Sequence, residues 1–236
     1  MRGRPSLLCD PPLKPNKPEE KLKHLEHHMV IVVHGLWLTG GAMTVLRSRF
    51  AHMGYNTRSF SYPSVHHDLS HNAQQLFAFV QSLQAQTIHI VGHSMGGLLA
   101  LQMLHEHADP RIGRVVLVGS PYRDIHAARR LLTTPLGQTM IGKSIHQWLT
   151  QAKPDVSQRY DIGVIAGTRS VGLGRLVAKL PTPNDGTIVV AETDVPGAKD
   201  AITLHVSHSE MLFSAMVAEQ AAQFLERGRF DHEAIL

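Results

Sequence analysis

The sequence predicts an α/β fold with a mainly parallel central sheet flanked by helices. Short apolar runs rich in β-branched residues alternate with segments of helical periodicity, which is typical of successive βα units. The chain has 236 residues, enough to bury one sizeable core but cramped for two domains. We therefore predict a single domain over residues 29–236, preceded by a flexible leader over residues 1–28.

Six apolar runs are predicted to form the strands of this sheet. The first, MVIVVH, is continuous in Val and Ile, which indicates a strand covered on both faces. In chain order the predicted strands span residues 29–34, 55–63, 87–92, 114–121, 162–167 and 201–206.

Helices are predicted between these strands. The segment AMTVLRSRFAHMG reads as a helix that ends at Gly54, and apolar residues recur at helical spacing from Asp68 onward. Further helices are predicted around residues 98–104 and over residues 210–227. Each of these would lay an apolar stripe on the sheet.

The alternation lapses over residues 122–160. This segment is predicted to form two short amphipathic helices, separated by Pro135 and Gly137, that lie as an insertion over one end of the sheet. Its apolar side chains would either line a substrate entrance, as a lid does, or only pack against the body of the domain. Both interpretations stay open at this point.

Composition argues against several classes of function. Basic residues outnumber acidic ones by 23 to 19 but are scattered, so nucleic-acid binding gains little support. The single cysteine, Cys9, allows no intramolecular disulfide and no cysteine-based metal cage. No run approaches the roughly 18 apolar residues of a membrane span, and the first residues lack the apolar stretch of a secretory signal. We therefore expect a soluble, cytoplasmic protein.

The segment IHIVGHSMGGLLALQML carries a Gly-x-Ser-x-Gly pattern between a predicted strand and a predicted helix. A serine hydroxyl is a poor nucleophile, so it needs a base within reach and donors placed where an oxyanion forms. A tight strand-to-helix turn would present Ser94, while Gly92 and Gly96 let the two elements approach closely. The N-terminus of the new helix would favour developing negative charge. Ser94 is therefore the predicted nucleophile.

With GHSMGG after a strand and VVHGLWLTGG upstream, the chain resembles the α/β-hydrolase superfamily, particularly its lipase-like and esterase-like members. The resemblance covers nearly the whole chain after about Met29. It implies an eight-strand-type sheet that is trimmed by a strand at its start and carries a small helical, lid-like insertion after the sixth strand. It also implies a catalytic triad in the chain order Ser, acid, His.

The resemblance further implies an oxyanion hole made of two backbone N–H groups. His34 and Gly35 end the first predicted strand, and the next residue, Leu36, would supply one donor. The N–H of Met95, directly after the nucleophile, would supply the other. The alternative, that HGLWLTGG is only a glycine-rich turn, stays open.

The base is expected in the loop after the last strand, near the C-terminus. In AITLHVSHSEML this position belongs to His208, and the resembling esterases carry a similar SHS loop there. His205, inside the predicted strand, is the alternative. His93 is adjacent to Ser94, but its side chain is expected to point away from the hydroxyl.

The acid is expected after the strand that precedes the last one, where it accepts the imidazole N–H and fixes the tautomer. Asp185, in the turn sequence TPNDGTIVV, is assigned this role, and the resembling hydrolases commonly place the acid in an Asp-Gly pair. Asp194 is the reserve, ahead of Glu192 and Asp200. Since Asn-Asp-Gly is also a common turn sequence, a purely structural role for Asp185 stays open.

The 17 histidines raise the question of a metal site. No His-Glu-x-x-His pattern occurs, and the pair His205 and His208 lies on or beside a strand instead of on one helical face. We therefore expect no metal and no other cofactor.

These observations predict a serine hydrolase that works through an acyl-enzyme intermediate, and the resemblance implies that it cleaves carboxylic esters instead of amides. Trp37, Leu38 and the insertion would form an apolar acyl pocket, so the expected substrate is a small-molecule or lipid-like acyl ester. Two alternatives remain open. The same triad would serve an acyltransferase or a thioesterase, and the fold would also serve a binding protein without catalytic activity.

Overall fold

The computed structural model describes residues 27–172 and 179–235. Six parallel strands form one sheet in the order β2-β1-β3-β4-β5-β6. The strands are β1 (His28–Val33), β2 (Asn56–Phe60), β3 (Thr87–His93), β4 (Ile112–Val118), β5 (Ile162–Gly167) and β6 (Asp200–Leu204). The predicted fold class is thereby confirmed.

Six α-helices accompany the sheet within the described residues. They are α1 (Thr44–His52), α2 (Leu69–Ser82), α3 (Met95–Glu106), α4 (His126–Leu131), α5 (Pro135–Thr150) and α6 (Ala215–Arg227). Local sequence explains several ends. The Asp68 carboxylate accepts the backbone N–H of His71 at 2.7 Å and so caps α2. Gly54, with a φ of 96°, follows the end of α1.

The sheet is buried on both faces because successive side chains of a strand point to opposite sides. In β1, Met29, Ile31 and Val33 face a core that contains apolar residues of α2, α3 and the insertion. Val30 and Val32 face a second core that contains residues of α1 and α6. This two-sided burial accounts for the continuous Val and Ile run that the sequence shows in the first strand.

The start of the chain lies mostly outside the residues that the structure describes. Of the predicted leader 1–28, only His27 and His28 are among the described residues, and His28 already begins β1. None of the helices in the described ranges combines the length and the apolar character that a membrane crossing requires.

The described sheet has two strands fewer than the eight-strand type, where the resemblance suggested one fewer. The helices α4 and α5 follow β4, the fourth strand of the described sheet, and precede β5 in the chain.

The two helices of the insertion are separated before Pro135, which is the first residue of α5. Gly137 lies inside the first turn of α5 instead of between the helices, and its N–H donates to the Thr134 hydroxyl at 3.1 Å. A further irregularity was not predicted: Gly142 interrupts α5 with a φ of 74° and a ψ of 176°. A Cβ there would lie 2.6 Å from the carbonyl oxygen of Val65, so this bend fits only glycine.

Candidate active site

Ser94 lies at a sharp turn between the end of β3 and the start of α3. Its φ of 54° and ψ of −124° place a non-glycine residue in a sparsely populated, strained conformation. The turn is held from both sides, since the Ser94 N–H donates to the Val118 carbonyl at 2.8 Å and the Ser94 carbonyl accepts the Gly97 N–H at 3.1 Å. A Cβ on Gly96 would lie 2.3 Å from the Val33 carbonyl oxygen, so glycine is required for α3 to start this close to β1.

The structure brings the predicted base and the predicted acid together. Nδ1 of the His208 ring lies 2.7 Å from Oδ2 of Asp185. In addition, the backbone N–H of His208 donates to the backbone carbonyl of Asp185 at 2.9 Å. The other carboxylate oxygen, Oδ1, accepts the backbone N–H groups of Thr187 at 2.9 Å and Ile188 at 2.7 Å. A carboxylate accepts hydrogen bonds, so Nδ1 carries the imidazole proton and Nε2 is left with its lone pair. This is the tautomer that a general base requires.

Ser94 and His208 line one cavity with a volume of about 280 Å³. Leu36 and Met95, the predicted oxyanion-hole residues, line it as well. Most of its remaining wall is aliphatic and comes from the insertion, the loop after Asp185 and the segment after His208: Ile125, Ala128, Leu131, Ile141, Ile145, Ile188 and Leu212. Among the described residues that line it, His93 and His208 alone carry ionisable side chains.

The loop that carries Leu36 is anchored through His34. The His34 Nδ1–H donates to the Gly35 carbonyl at 2.8 Å, and Nε2 accepts the Tyr62 N–H at 3.2 Å. The Tyr62 hydroxyl donates to the His34 carbonyl at 2.9 Å. Burial lowers the pKa of His34, so the neutral ring that this pattern needs is favoured. On the other side, Met95 is the first residue of α3, and the first N–H groups of a helix find no acceptor within it.

The two alternative residues lie elsewhere. His205 is exposed, and its Nδ1 lies 3.5 Å from the Thr168 hydroxyl. Asp194 is 60% exposed and forms a surface ion pair with Arg123 at 2.6 Å. Neither side chain lines the cavity. The geometry therefore favours His208 and Asp185 over their alternatives.

His93 contributes to the site in a way the sequence did not reveal. Its Nε2–H donates to the His208 carbonyl at 3.0 Å, and the centroids of the two rings lie 4.6 Å apart. Burial, with a smaller contribution from the nearby His208, lowers the pKa of His93 to about 3. His93 is thus a neutral donor that fixes the backbone of His208.

Glu192, a minor alternative for the acid, contacts other residues than His208. It is buried, and its Oε1 lies 2.7 Å from Nδ1 of His126, at the start of α4. Its Oε2 accepts the N–H of Val189 at 2.8 Å, in the loop that carries Asp185. The Glu192 carboxylate therefore connects the insertion to the loop that carries Asp185.

The part of the chain that the structure describes contains no group of three or more His, Cys, Asp or Glu side chains arranged to hold a metal ion. A strained serine and an imidazole that contacts a buried carboxylate lie at one cavity with Leu36 and Met95, and acyl transfer through a serine requires a nucleophile, an oriented base and oxyanion donors.

Comparison with known proteins agrees with this architecture. A family model described as "Alpha/beta hydrolase family" matches residues 30–231. Similar solved structures include the metagenomic carboxyl esterase MGS0156, with 19% identity, a TM-score of 0.59 and coverage of 77% of this chain and 64% of that one. They also include an esterase from Exiguobacterium antarcticum, with 14% identity, a TM-score of 0.62 and coverage of 85% and 92%.

Carboxylesterase CesB from Bacillus subtilis is similar as well, with 15% identity, a TM-score of 0.53 and coverage of 85% of this chain and 84% of that one. The chain spans less than two thirds of the length of MGS0156. At these identities the structural likeness shows the fold alone.

Proposed function

The chain belongs to the alpha/beta hydrolase family, and on this premise we propose that it is a serine hydrolase that cleaves carboxylic esters. One observation carries the proposal: the 2.7 Å contact between Nδ1 of His208 and Oδ2 of Asp185 lies at the cavity that Ser94 also lines. The esterases named above support the reaction class by analogy.

In the proposed reaction, Nε2 of His208 takes the proton of the Ser94 hydroxyl as Oγ attacks the ester carbonyl carbon. The carbonyl π electrons move to oxygen, and the backbone N–H groups of Leu36 and Met95 stabilise the resulting oxyanion. Collapse of this intermediate expels the alcohol, which receives the proton from His208, and leaves an acyl group on Ser94. Water then attacks the acyl-enzyme by the same steps, and the acid is released. Asp185 holds the imidazole in the required tautomer throughout.

The wall of the cavity supports a neutral, apolar acyl group as substrate. Its aliphatic side chains offer no partner to a charged acyl chain, and burying an ionised group there without a partner would be unfavourable. Each methylene transferred from water to such a wall contributes about 0.8 kcal/mol, which corresponds to roughly a fourfold gain in kcat/KM. In a series of p-nitrophenyl esters we therefore expect kcat/KM to rise with acyl length until the cavity is filled, and then to fall.

The decisive test is covalent labelling with a fluorophosphonate probe, which reacts with activated serines. We expect the wild-type chain to be labelled at Ser94 and the Ser94→Ala variant to remain unlabelled. Ser209→Ala is the matched control, because Ser209 lines the same cavity, and it should be labelled like the wild type.

Two results would contradict the proposal. If folded wild-type protein is not labelled, the chain is a binding protein that retains the fold without this activity. If Ser94→Ala is still labelled, the nucleophile is another residue. Adding a thioester substrate and an alcohol acceptor to the ester assay distinguishes hydrolysis of esters from thioesterase or acyltransferase activity, for which the same residues would serve.

A further inference from the structure

Three large apolar side chains are exposed next to the cavity. Trp37 is 54% exposed, Leu136 72% and Met140 41%. They form one surface, because the Trp37 indole N–H donates to the Met140 carbonyl at 2.9 Å, and Leu136 and Met140 are one turn apart on α5. We call these three residues the outer patch. Exposed apolar residues that cluster in this way commonly mark a binding surface.

The two helices of the insertion, one of which carries Leu136 and Met140, are basic. Residues 126–150 contain Arg129, Arg130 and Lys143 and no acidic residue. Arg129 forms an ion pair with Asp124 at 2.6 Å, just before α4, whereas Arg130 and Lys143 are both exposed to solvent. The insertion therefore exposes both apolar and cationic side chains to solvent.

An open groove along α5 adds further polar groups. Arg129, Lys143, His66 and His146 line it, together with Asp68, whose carboxylate is engaged in capping α2. A bilayer that contains anionic phospholipids offers complementary chemistry, with phosphates at its surface and acyl chains a few ångströms below. Cationic and apolar residues on one helix surface are the combination that binds at such a boundary.

We propose that the outer patch docks on the surface of an anionic phospholipid membrane. Trp37, Leu136 and Met140 enter the boundary between headgroups and acyl chains, and Arg130 and Lys143 contact lipid phosphates. A second copy of the chain fits this surface less well, because a two-fold interface pairs the same surface with itself and so brings the positive charges of the two insertions together.

The orientation that results has a consequence for the cavity. The same two helices turn Leu131, Ile141 and Ile145 toward the cavity, and Trp37 both lines it and reaches solvent. Docking therefore places the cavity beside the lipid. That acyl esters in or on the membrane are the substrates rests on the proposed function, whereas docking itself does not.

The two tryptophans make docking measurable, since Trp37 is exposed and Trp148 is fully buried. The full chain carrying Ser94→Ala is titrated with vesicles of phosphatidylcholine alone or mixed with phosphatidylglycerol, and tryptophan emission and co-sedimentation are recorded. We expect a blue shift and sedimentation with the anionic vesicles, both weakened at 1 M salt, where the Debye length falls to about 3 Å. Because this variant lacks the proposed nucleophile, its docking is independent of whether the hydrolase proposal holds.

Charge variants test the surface directly. Each basic residue near an anionic membrane contributes roughly a fivefold gain in affinity, so Arg130→Glu with Lys143→Glu should weaken binding at least 25-fold. The matched control is Arg227→Glu with Arg229→Glu, which reverses two exposed charges beside Asp200 at the start of β6, away from the cavity and the groove, and should leave binding within twofold.

Leu136→Ser should weaken binding without changing its salt dependence. The proposal is overturned if anionic vesicles are not bound, if phosphatidylcholine alone binds equally well, or if the control pair weakens binding as much as the test pair. It is also overturned if inorganic phosphate alone produces the blue shift, which would indicate a small-anion site.

Discussion

Replacing Asp185 by Asn tests whether the carboxylate orients the base. Asn has nearly the same shape, and its carbonyl can still accept the N–H groups of Thr187 and Ile188, which Oδ1 of Asp185 accepts at 2.9 and 2.7 Å. The amide NH₂ then replaces Oδ2 and donates toward Nδ1 of His208. Nδ1 must become an acceptor, so the imidazole proton moves to Nε2. A protonated Nε2 cannot remove a proton from Ser94.

The expected loss of activity is large and the expected loss of stability small. A base held in the wrong tautomer lowers kcat by about 10³ to 10⁴, which corresponds to roughly 4 to 5.5 kcal/mol of transition-state stabilisation. Asp185→Ala should lower kcat comparably, but it also leaves the buried N–H of Ile188 and the partly buried N–H of Thr187 without their acceptor. An unsatisfied buried group costs about 1 to 3 kcal/mol, so the free energy of unfolding should fall by at least that amount in the Ala variant.

The assay combines kcat on a p-nitrophenyl ester that the wild type turns over with urea unfolding of each variant. Asp194→Asn is the matched control, because Asp194 forms only a surface pair with Arg123, and its kcat should stay within twofold of the wild type. The reasoning is refuted if Asp185→Asn retains more than a tenth of the wild-type kcat. It is also refuted if the Asp194→Asn variant loses more activity than the Asp185→Asn variant.

Three further predictions concern packing, specificity and pH. Gly96→Ala should lower the free energy of unfolding by about 3 kcal/mol, because its Cβ would lie 2.3 Å from the Val33 carbonyl oxygen; a loss below 1 kcal/mol in urea titrations would contradict the close approach. Ala128→Leu should lower kcat/KM about tenfold for the longest well-accepted ester and less than twofold for the acetate, since Ala128 lines the cavity; a uniform loss would place the acyl chain elsewhere. Burial, aided by nearby positive charge, lowers the pKa of His89 from 6.5 to about 3, so the unfolded chain binds a proton that the folded chain excludes, and stability should fall as pH decreases from 6.5 toward 3, by up to about 1.4 kcal/mol per pH unit. His89→Gln should reduce this slope while the contribution of His93 remains, and His105→Gln, at an exposed position, should leave it unchanged; equal slopes in wild type and His89→Gln would show that His89 does not contribute.

The sequence predicted the strands well because their signal is local. The apolar run at 162–167 coincides with β5, Ile162–Gly167, because a strand that is buried at every position favours residues without polar side chains throughout. The turn at Ser94 was also readable, because the glycines that permit it are its neighbours in the chain. The catalytic role of Ser94 stays a prediction.

The partners of buried polar groups were beyond sequence reasoning. Asp185 and His208 are 23 residues apart, and only the family resemblance suggested that they meet. His93 bonds to a carbonyl 115 residues away, and Glu192 to a histidine 66 residues away. No periodicity encodes such contacts, because they arise only when distant loops gather at the same edge of the sheet. The bend at Gly142 was missed for a related reason, since it depends on the close approach of Val65.

The buried Glu192 limits how this protein can be re-engineered. Segments such as 122–160 are attractive units to exchange when a different substrate range is wanted. Here the exchange would remove His126, one of the hydrogen-bond partners that stabilise the buried carboxylate of Glu192. The hydrogen bond from the Val189 N–H to Glu192 would remain, and Val189 is four residues from Asp185. A poorly matched replacement segment would therefore distort the loop that carries Asp185. A chimera should therefore retain His126 or change Glu192 with it, and selectivity and rate should be optimised together.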